Sequence, residues 1–376
     1  MTQKSYEMLL RQLHSWLHRK TINTAVRRVA NLPVAIATDI GLVRDENQDR
    51  ISVMRYRAKG SSKDTVVIAL ADGMGGMVGG ANAASLAISS FFSEIIRCSH
   101  LSLGDCVSNA IKFANEAVYS LYSGSGGSTL SVIIIDDSDI IKGVNVGDSR
   151  IYEIFDGVIK QLSDDDTIAA IAQKYKNEEL NLETRFSNEL VQFIGQEGDI
   201  EPHFITILRE KGKKVILTSD GAHKIGNANM FRLATNAINS GVYTKRVTDL
   251  ANWFGGGDNA SIAVYDVYES FMLTAPNEEN VISIWDAFGE LQIVNIIDDT
   301  TSSGEIKLKA SDDLNIEGAK VISTDKVKKN RPRSRRKPKE GANYTAKNRD
   351  IKSDDENIEK HQLDISFNNN QEGKDE

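Results

Sequence analysis

Apolar residues fall in short runs along the middle of the chain, each closed by turn residues. VAIATDIG, DRISVMRY, TVVIALADG, STLSVIIIDD, DIIKGVNVG, SRIYEIFDG, KKVILTSDG and NASIAVYDV all have this form between residues 35 and 268. Their Val and Ile content, with Gly and Asp at the ends, predicts β-strands. SVIIIDDSDIIKGVNV reads as a hairpin, with two strands around Asp136, Asp137, Ser138 and Asp139. A longer period interrupts the strands. Over residues 81–100, Ala84, Ile88, Phe91, Phe92 and Ile95 fall on one helical face; over 103–122, Val107, Ile111, Ala114 and Val118 do the same. A third helical pattern covers roughly residues 165–176. Near the N-terminus Met8, Leu9, Leu13 and Leu17 predict a short amphipathic helix that covers part of the core. Strands and helices in blocks, in place of strict alternation, predict an α+β fold layered over a largely antiparallel sheet.

The same pattern divides the chain. Residues 1–34 are a helical N-terminal extension, 35–268 the main body, 269–300 an accessory segment, and 301–376 a polar, aperiodic tail. Residues 281–297 are apolar enough to pack on the body or on a partner. The tail carries a dense basic block, KVKKNRPRSRRKPK, at 326–339 and an acidic, Asn-rich end, a composition that predicts disorder.

Charge and cysteine content narrow the function classes. The 376 residues carry a net charge of −8, which argues against bulk nucleic-acid binding. Only the basic block offers a place for RNA, DNA or an acidic partner. No aromatic residue interleaves with it and its flanks are acidic, so a solvated tail fits equally well. Cys98 and Cys106 belong to no metal-ligand pattern, and a reducing, cytoplasmic compartment is the expectation. No apolar run approaches the ~20 residues needed to span a bilayer, so no membrane role is expected. MTQKSYEMLLRQLHSWLHRK lacks the apolar core of a secretory signal.

The candidate chemistry lies at the strand ends. In LADGMGG, at residues 70–76, Asp72 ends an apolar run and meets glycines at once. Asp49, Asp148, Asp220 and Asp258 likewise stand at strand ends in short polar stretches. One Asp or Gly at a strand end is ordinary turn chemistry. Five carboxylates converging on one sheet edge would repel one another and lose hydration, and a hard divalent cation removes both costs. Oxygen ligands without His or Cys point to Mg²⁺ or Mn²⁺ in place of zinc. Gly73, Gly75 and Gly76 let the backbone turn sharply, and Met74 packs under the loop. Arg44, five residues before Asp49, is either a simple ion-pair partner or a bidentate clamp on a phosphate.

GLVRDENQD, ALADGMGG, GSTL, NVGDSR, LTSDG and GGDNASIAVY, in this order, resemble the metal-dependent serine/threonine protein phosphatases of the protein phosphatase 2C (PPM) family, especially its bacterial members. The resemblance covers residues 35–268 and makes that stretch the catalytic domain. It implies a four-layer α-β-β-α sandwich of two antiparallel sheets flanked by helices, with a metal cleft at one end. Asp72 would bridge two metals, Mg²⁺ or Mn²⁺, and the Gly73 carbonyl would bind one. Asp220 and Asp258 would bind the second, and Asp49 would act through metal-bound water. Asp148, with Asp220, would serve a third, weaker metal. Arg44 would hold the substrate phosphate, and Asn259 would support Asp258 from behind. The implied reaction is hydrolysis of phosphoserine or phosphothreonine on a phosphoprotein by a metal-activated water. The implied partner is a serine/threonine kinase whose signal the enzyme reverses.

This sequence departs from the family pattern in places. Gly80 stands where an acidic residue is usual, and Ala222 follows Gly221 where Leu is usual. The charged flap, about residues 164–193, follows no family pattern. Asp164, Asp165 and Asp166 read as a solvated loop, and Ser128–Thr129 as a core turn and strand start. His223 is the one histidine expected near the site. A competing function is a catalytically weak, phosphatase-like scaffold or sensor that binds a partner through its C-terminal tail.

Overall fold

The structure, a computed structural model, describes residues 3–57, 64–74, 77, 79–174, 189–268 and 281–294. In chain order, α1 (Gln3–Leu17), β1 (Thr24–Arg28), β2 (Val34–Asp39), β3 (Asp49–Arg57) and β4 (Asp64–Asp72) lead into α2 (Gly80–Arg97) and α3 (Leu103–Tyr122). Next come β5 (Leu130–Ile135), β6 (Ile140–Val146), β7 (Arg150–Phe155), β8 (Val158–Gln161) and the short α4 (Ile168–Lys174). The chain continues through β9 (His203–Leu208), β10 (Lys214–Thr218), α5 (Asp220–His223), α6 (Asn227–Thr235), α7 (Ser240–Trp253) and β11 (Ala260–Asp266). It closes with β12 (Val281–Asp286) and β13 (Glu290–Val294). The strands form a six-stranded sheet, β1-β2-β11-β10-β7-β8, and a seven-stranded sheet, β13-β12-β3-β4-β5-β6-β9. Every pairing is antiparallel.

Strand β4 shows why the layers stack. Val66, Ile68 and Leu70 enter the core between the sheets, where they meet Ile36, Ile151 and Leu217. Val67, Ala69 and Ala71 point the other way, toward Ile88, Phe91 and Phe92 of α2. A strand apolar at both parities has to be covered on both faces. On the far side, Tyr152, Ile216, Ile262 and Val264 of the six-stranded sheet pack against Met230, Tyr243 and Val247 of α6 and α7. The fold is therefore the expected four-layer sandwich. Helix α2 is buried almost all round between α1, α3 and the sheet, and its many Ala and Ser residues permit that close approach. Ser102 caps α3 by accepting a hydrogen bond from the Asp105 amide.

Two segments join the sheets where the sequence marked no strand. Residues 1–34 are not helical throughout, because TAVRR at β1 pairs with β2 as a half-exposed edge strand. Residues 281–294 form a hairpin whose β12 extends the seven-stranded sheet beyond β3, and Trp285 enters the core between the sheets. The tail with its basic block at 326–339, and residues 175–188 of the expected flap, lie outside the described residues. No helix among the described residues is long and apolar enough to cross a membrane.

Ile68 is fully buried between the sheets. Ile68→Ala is expected to lower unfolding free energy by about 2–5 kcal/mol, read from a reduced urea midpoint at unchanged slope. Val158→Ala, on the exposed edge strand β8, is the control and should change stability by no more than about 0.5 kcal/mol.

Candidate active site

Antiparallel pairing brings many strand ends to one end of the sandwich. Asp49 opens β3 directly opposite Asp72, which closes β4. β10 ends at Thr218 beside Ile262 of β11 and Arg150 of β7, and β2 ends at Asp39 beside Ala260. Arg44, Asp72, Gly73, Asp148, Asp220 and Asp258 all line one cleft of about 420 Å³ there. Gln48, Met74, Thr129, Glu189 and Phe193 contribute to its wall. Met74 thus faces the cleft and does not simply pack beneath the loop. Asp49 and Asn259 are buried behind this surface, each less than 5% exposed.

Local hydrogen bonds fix each group. The Asp72 amide donates to Thr129 Oγ1 at 2.9 Å, and the Asp72 carbonyl accepts from Ser128 Oγ and the Thr129 amide, both at 2.9 Å. Ser219 Oγ donates to Asp49 Oδ2 at 2.7 Å. Asn259 Oδ1 accepts from the Gln48 amide at 2.8 Å, while its Nδ2 donates to the Ile40 and Glu46 carbonyls. One side chain thereby clamps both ends of the segment that carries Arg44. At Gly73 the reason for glycine is a close approach, not a sharp turn. A Cβ there would lie 2.2 Å from the Gly80 carbonyl oxygen. At Gly221 it would lie 2.0 Å from the Asn259 carbonyl oxygen.

Two cations meet these carboxylates. Arg44 forms a two-point pair with Asp258, Nε to Oδ1 at 2.9 Å and Nη2 to Oδ2 at 3.0 Å. Lys224 Nζ lies 2.7 Å from Asp220 Oδ2 and 3.6 Å from Asp258 Oδ2. Lys224 was missed in the sequence reading, although its i, i+4 spacing from Asp220 was visible there. Even with these cations the site is short of positive charge. Burial, then the neighbouring Asp49 and Asp220, push the Asp72 carboxyl well above its ordinary range. Burial raises Asp49 to about 6, against the hydrogen bond from Ser219. Burial and Asp220 raise Asp148 to about 7.

Asp49 Oδ1 and Asp220 Oδ1 are buried without a hydrogen-bond partner. Among the described residues no three His, Cys, Asp or Glu side chains already close on a single point. The all-oxygen donor set, its orphaned oxygens and its upward-shifted carboxyls nevertheless fit a hard divalent cation.

Other strand-end and loop groups have structural partners. Asp39 ends β2 but only accepts from the Gly41 amide and Thr24 Oγ1, which is turn chemistry. His223 is buried beside Tyr152 and within 3.1 Å of Thr218 Oγ1; burial lowers its pKa, and it does not line the cleft. Asp165 pairs with Arg150 at 2.6 Å. Asp166 is not solvated as expected. Its Oδ1 meets His203 Nε2 at 2.7 Å, and its Oδ2 accepts from the Gly147 amide at 2.8 Å and Gln192 Nε2 at 3.0 Å. It thereby ties the turn before Asp148 to the segment that supplies Glu189 and Phe193.

A family model described as Protein phosphatase 2C matches residues 44–256. Protein phosphatase PhpP of Streptococcus pneumoniae is 28% identical over 251 residues, which cover 63% of this chain and 98% of that protein. The crystal structure of the S. agalactiae serine/threonine phosphatase is similar over 62% of this chain and 98% of its own, at 29% identity and a TM-score of 0.56. The catalytic domain of PstP in complex with two manganese ions shares the fold, at 23% identity and a TM-score of 0.52, over 66% of this chain and 100% of its own.

The Asp166–His203 pair sets a pH dependence of stability. The hydrogen bond and charge of Asp166 raise the His203 pKa against partial burial, with Asp164 adding and Lys174 opposing. The pair's contribution is therefore complete below the unfolded value of about 6.5 and is lost as pH rises through the higher folded value. His203→Gln should lower the melting temperature most near about pH 5.5, with the deficit shrinking by about pH 8.5. A deficit independent of pH would show that only the neutral hydrogen bond matters.

Proposed function

The chain belongs to the protein phosphatase 2C family, and from that premise we propose that it hydrolyses phosphoserine and phosphothreonine on proteins. The convergence of Asp72, Asp148, Asp220, Asp258 and Arg44 on one cleft carries the reading. The similar proteins named as phosphatases support it. Asp72, the Gly73 carbonyl, Asp220 and Asp258 would hold two divalent cations, Mg²⁺ or Mn²⁺. Asp49 would stand behind them, and Asp148 with Asp220 would offer a third, weaker position. Held by these residues, such cations would lower the pKa of a bound water and offset charge on the phosphoryl group.

The chain's own groups do the rest. The Arg44 side chain is 40% exposed, so its fork can exchange the Asp258 carboxylate for a substrate phosphate of the same geometry. Thr129 and Ser128 hold the Asp72 backbone, and Ser219 holds Asp49, so neither carboxylate has to reorganise as charge develops. The Ser128 hydroxyl bonds backbone carbonyls and the Thr129 hydroxyl is shared with Ser149 and the Asp72 amide. No imidazole among the described residues lines the cleft, which favours water as the nucleophile.

The substrates would be proteins phosphorylated by a serine/threonine kinase in a bacterial signalling pathway. The free, buried thiols of Cys98 and Cys106 suit the reducing cytoplasm. We assign residues 35–268 as catalytic. No observation favours a scaffold without turnover, since every carboxylate of the cleft is in place.

Phosphate release from a phosphothreonine peptide should require Mn²⁺ or Mg²⁺ and stop with EDTA. Asp72→Asn and Asp220→Asn should each lower kcat by roughly a hundredfold or more while the protein stays folded. Near-wild-type turnover in either variant would sink the assignment. Arg44→Ala should raise KM about tenfold, with a smaller loss in kcat.

A further inference from the structure

Lys224 stands against the two carboxylates proposed above for the second metal. Its ammonium is 2.7 Å from Asp220 Oδ2 and 3.6 Å from Asp258 Oδ2. The other oxygen of Asp220, Oδ1, is buried and has no hydrogen-bond partner. Asp220 thus gives one oxygen to the lysine and keeps the second free in the interior. The placement is local. Lys224 follows α5 directly, and its amide donates to the Asp220 carbonyl, so its side chain lies one helical turn from the carboxylate it pairs with.

We propose that Lys224 is a resident counter-cation that competes with divalent metal for Asp220 and Asp258 and so sets the metal affinity of the cleft. The inference rests on the metal-dependent phosphatase reading. Without an added cation, Asp72, Asp148, Asp220 and Asp258 crowd one partly desolvated cleft, where Arg44 and Lys224 are the cations in contact with them. A metal ion that takes the Oδ2 of Asp220 or of Asp258 has to displace the ammonium, and at Asp258 the Arg44 guanidinium as well, while Asp220 Oδ1 stays open to it. The lysine can leave, because its charge sits on a flexible stem and its side chain is 56% exposed. Exposure also limits the effect, since half-exposed pairs are screened by water. The competition therefore tunes metal affinity by roughly threefold to fivefold and does not block the site. It also gives the metal-free protein a way to hold its carboxylates together.

The test is Mn²⁺ binding to the metal-stripped, full-length protein, followed by calorimetry, with Lys224→Gln and Lys224→Arg beside the wild type. The Gln variant is expected to bind Mn²⁺ about threefold to fivefold more tightly, and the Arg variant to stay within roughly twofold of wild type. Melting in EDTA should be lower for the Gln variant than for the Arg variant, and excess Mn²⁺ should close that gap. If the Gln variant folds only with Mn²⁺ present, release of Mn²⁺ to a competing chelator gives the same affinity. Equal Mn²⁺ affinity in the Gln and Arg variants overturns the role of Lys224 and leaves the phosphatase reading standing. A wild-type protein that binds no Mn²⁺ overturns both.

Discussion

Repulsion among carboxylates at one end of the sandwich is the constraint on which the site depends. Asp49 and Asp72 face each other across neighbouring strands, and Asp148, Asp220 and Asp258 arrive from other turns. In a buried setting each charge raises the cost of the next. Burial first, and that crowding after it, displace Asp72, Asp49 and Asp148 upward. Arg44 and Lys224 offset part of it from the solvent side. The remaining deficit suits the cleft to the divalent cations proposed for it.

Such a cluster survives only on a scaffold that cannot relax away from it. The two sheets supply that rigidity. β3 and β4 are buried on both faces, and their register fixes where Asp49 and Asp72 stand. The turns are pinned one by one, by Thr129 on Asp72, by Ser219 on Asp49 and by Asn259 on the segment that carries Arg44. Gly73 and Gly221 let carbonyl groups from neighbouring turns approach within distances that a Cβ would forbid. Stability is stored in the apolar layers and spent at the rim, where the polar groups gather.

The cleft wall is held differently. Glu189 and Phe193 belong to a segment tied down by hydrogen bonds through Asp166, Gln192 and His203. Asp166 also accepts from the Gly147 amide, next to Asp148. One buried carboxylate thus couples the wall to the turn that carries Asp148. Lys224, by contrast, reaches the cluster with a half-exposed, flexible side chain and can move.

Residue types and their period determined much of this protein. Runs apolar at both parities required strands covered on two faces, and the helical periods at residues 81–100 and 103–122 emerged as α2 and α3. Five aspartates at strand ends pointed to a cation site in the sequence, and four of them line one cleft in the structure. Tertiary structure alone decided which strand-end carboxylates share one cleft. Asp39 and Asp72 look alike at their strand ends, yet one closes a turn and the other faces the cleft. Asp166 read as a solvated loop and became a buried node; β1 read as part of a helical extension and the β12–β13 hairpin as part of an accessory segment, and both joined the sheets. Lys224 gave no sign of facing Asp258, 34 positions away in the chain. The reason is that periodicity reports which side of an element is buried. Which charges meet depends on how separate elements pack, and the chain's local pattern does not contain that information.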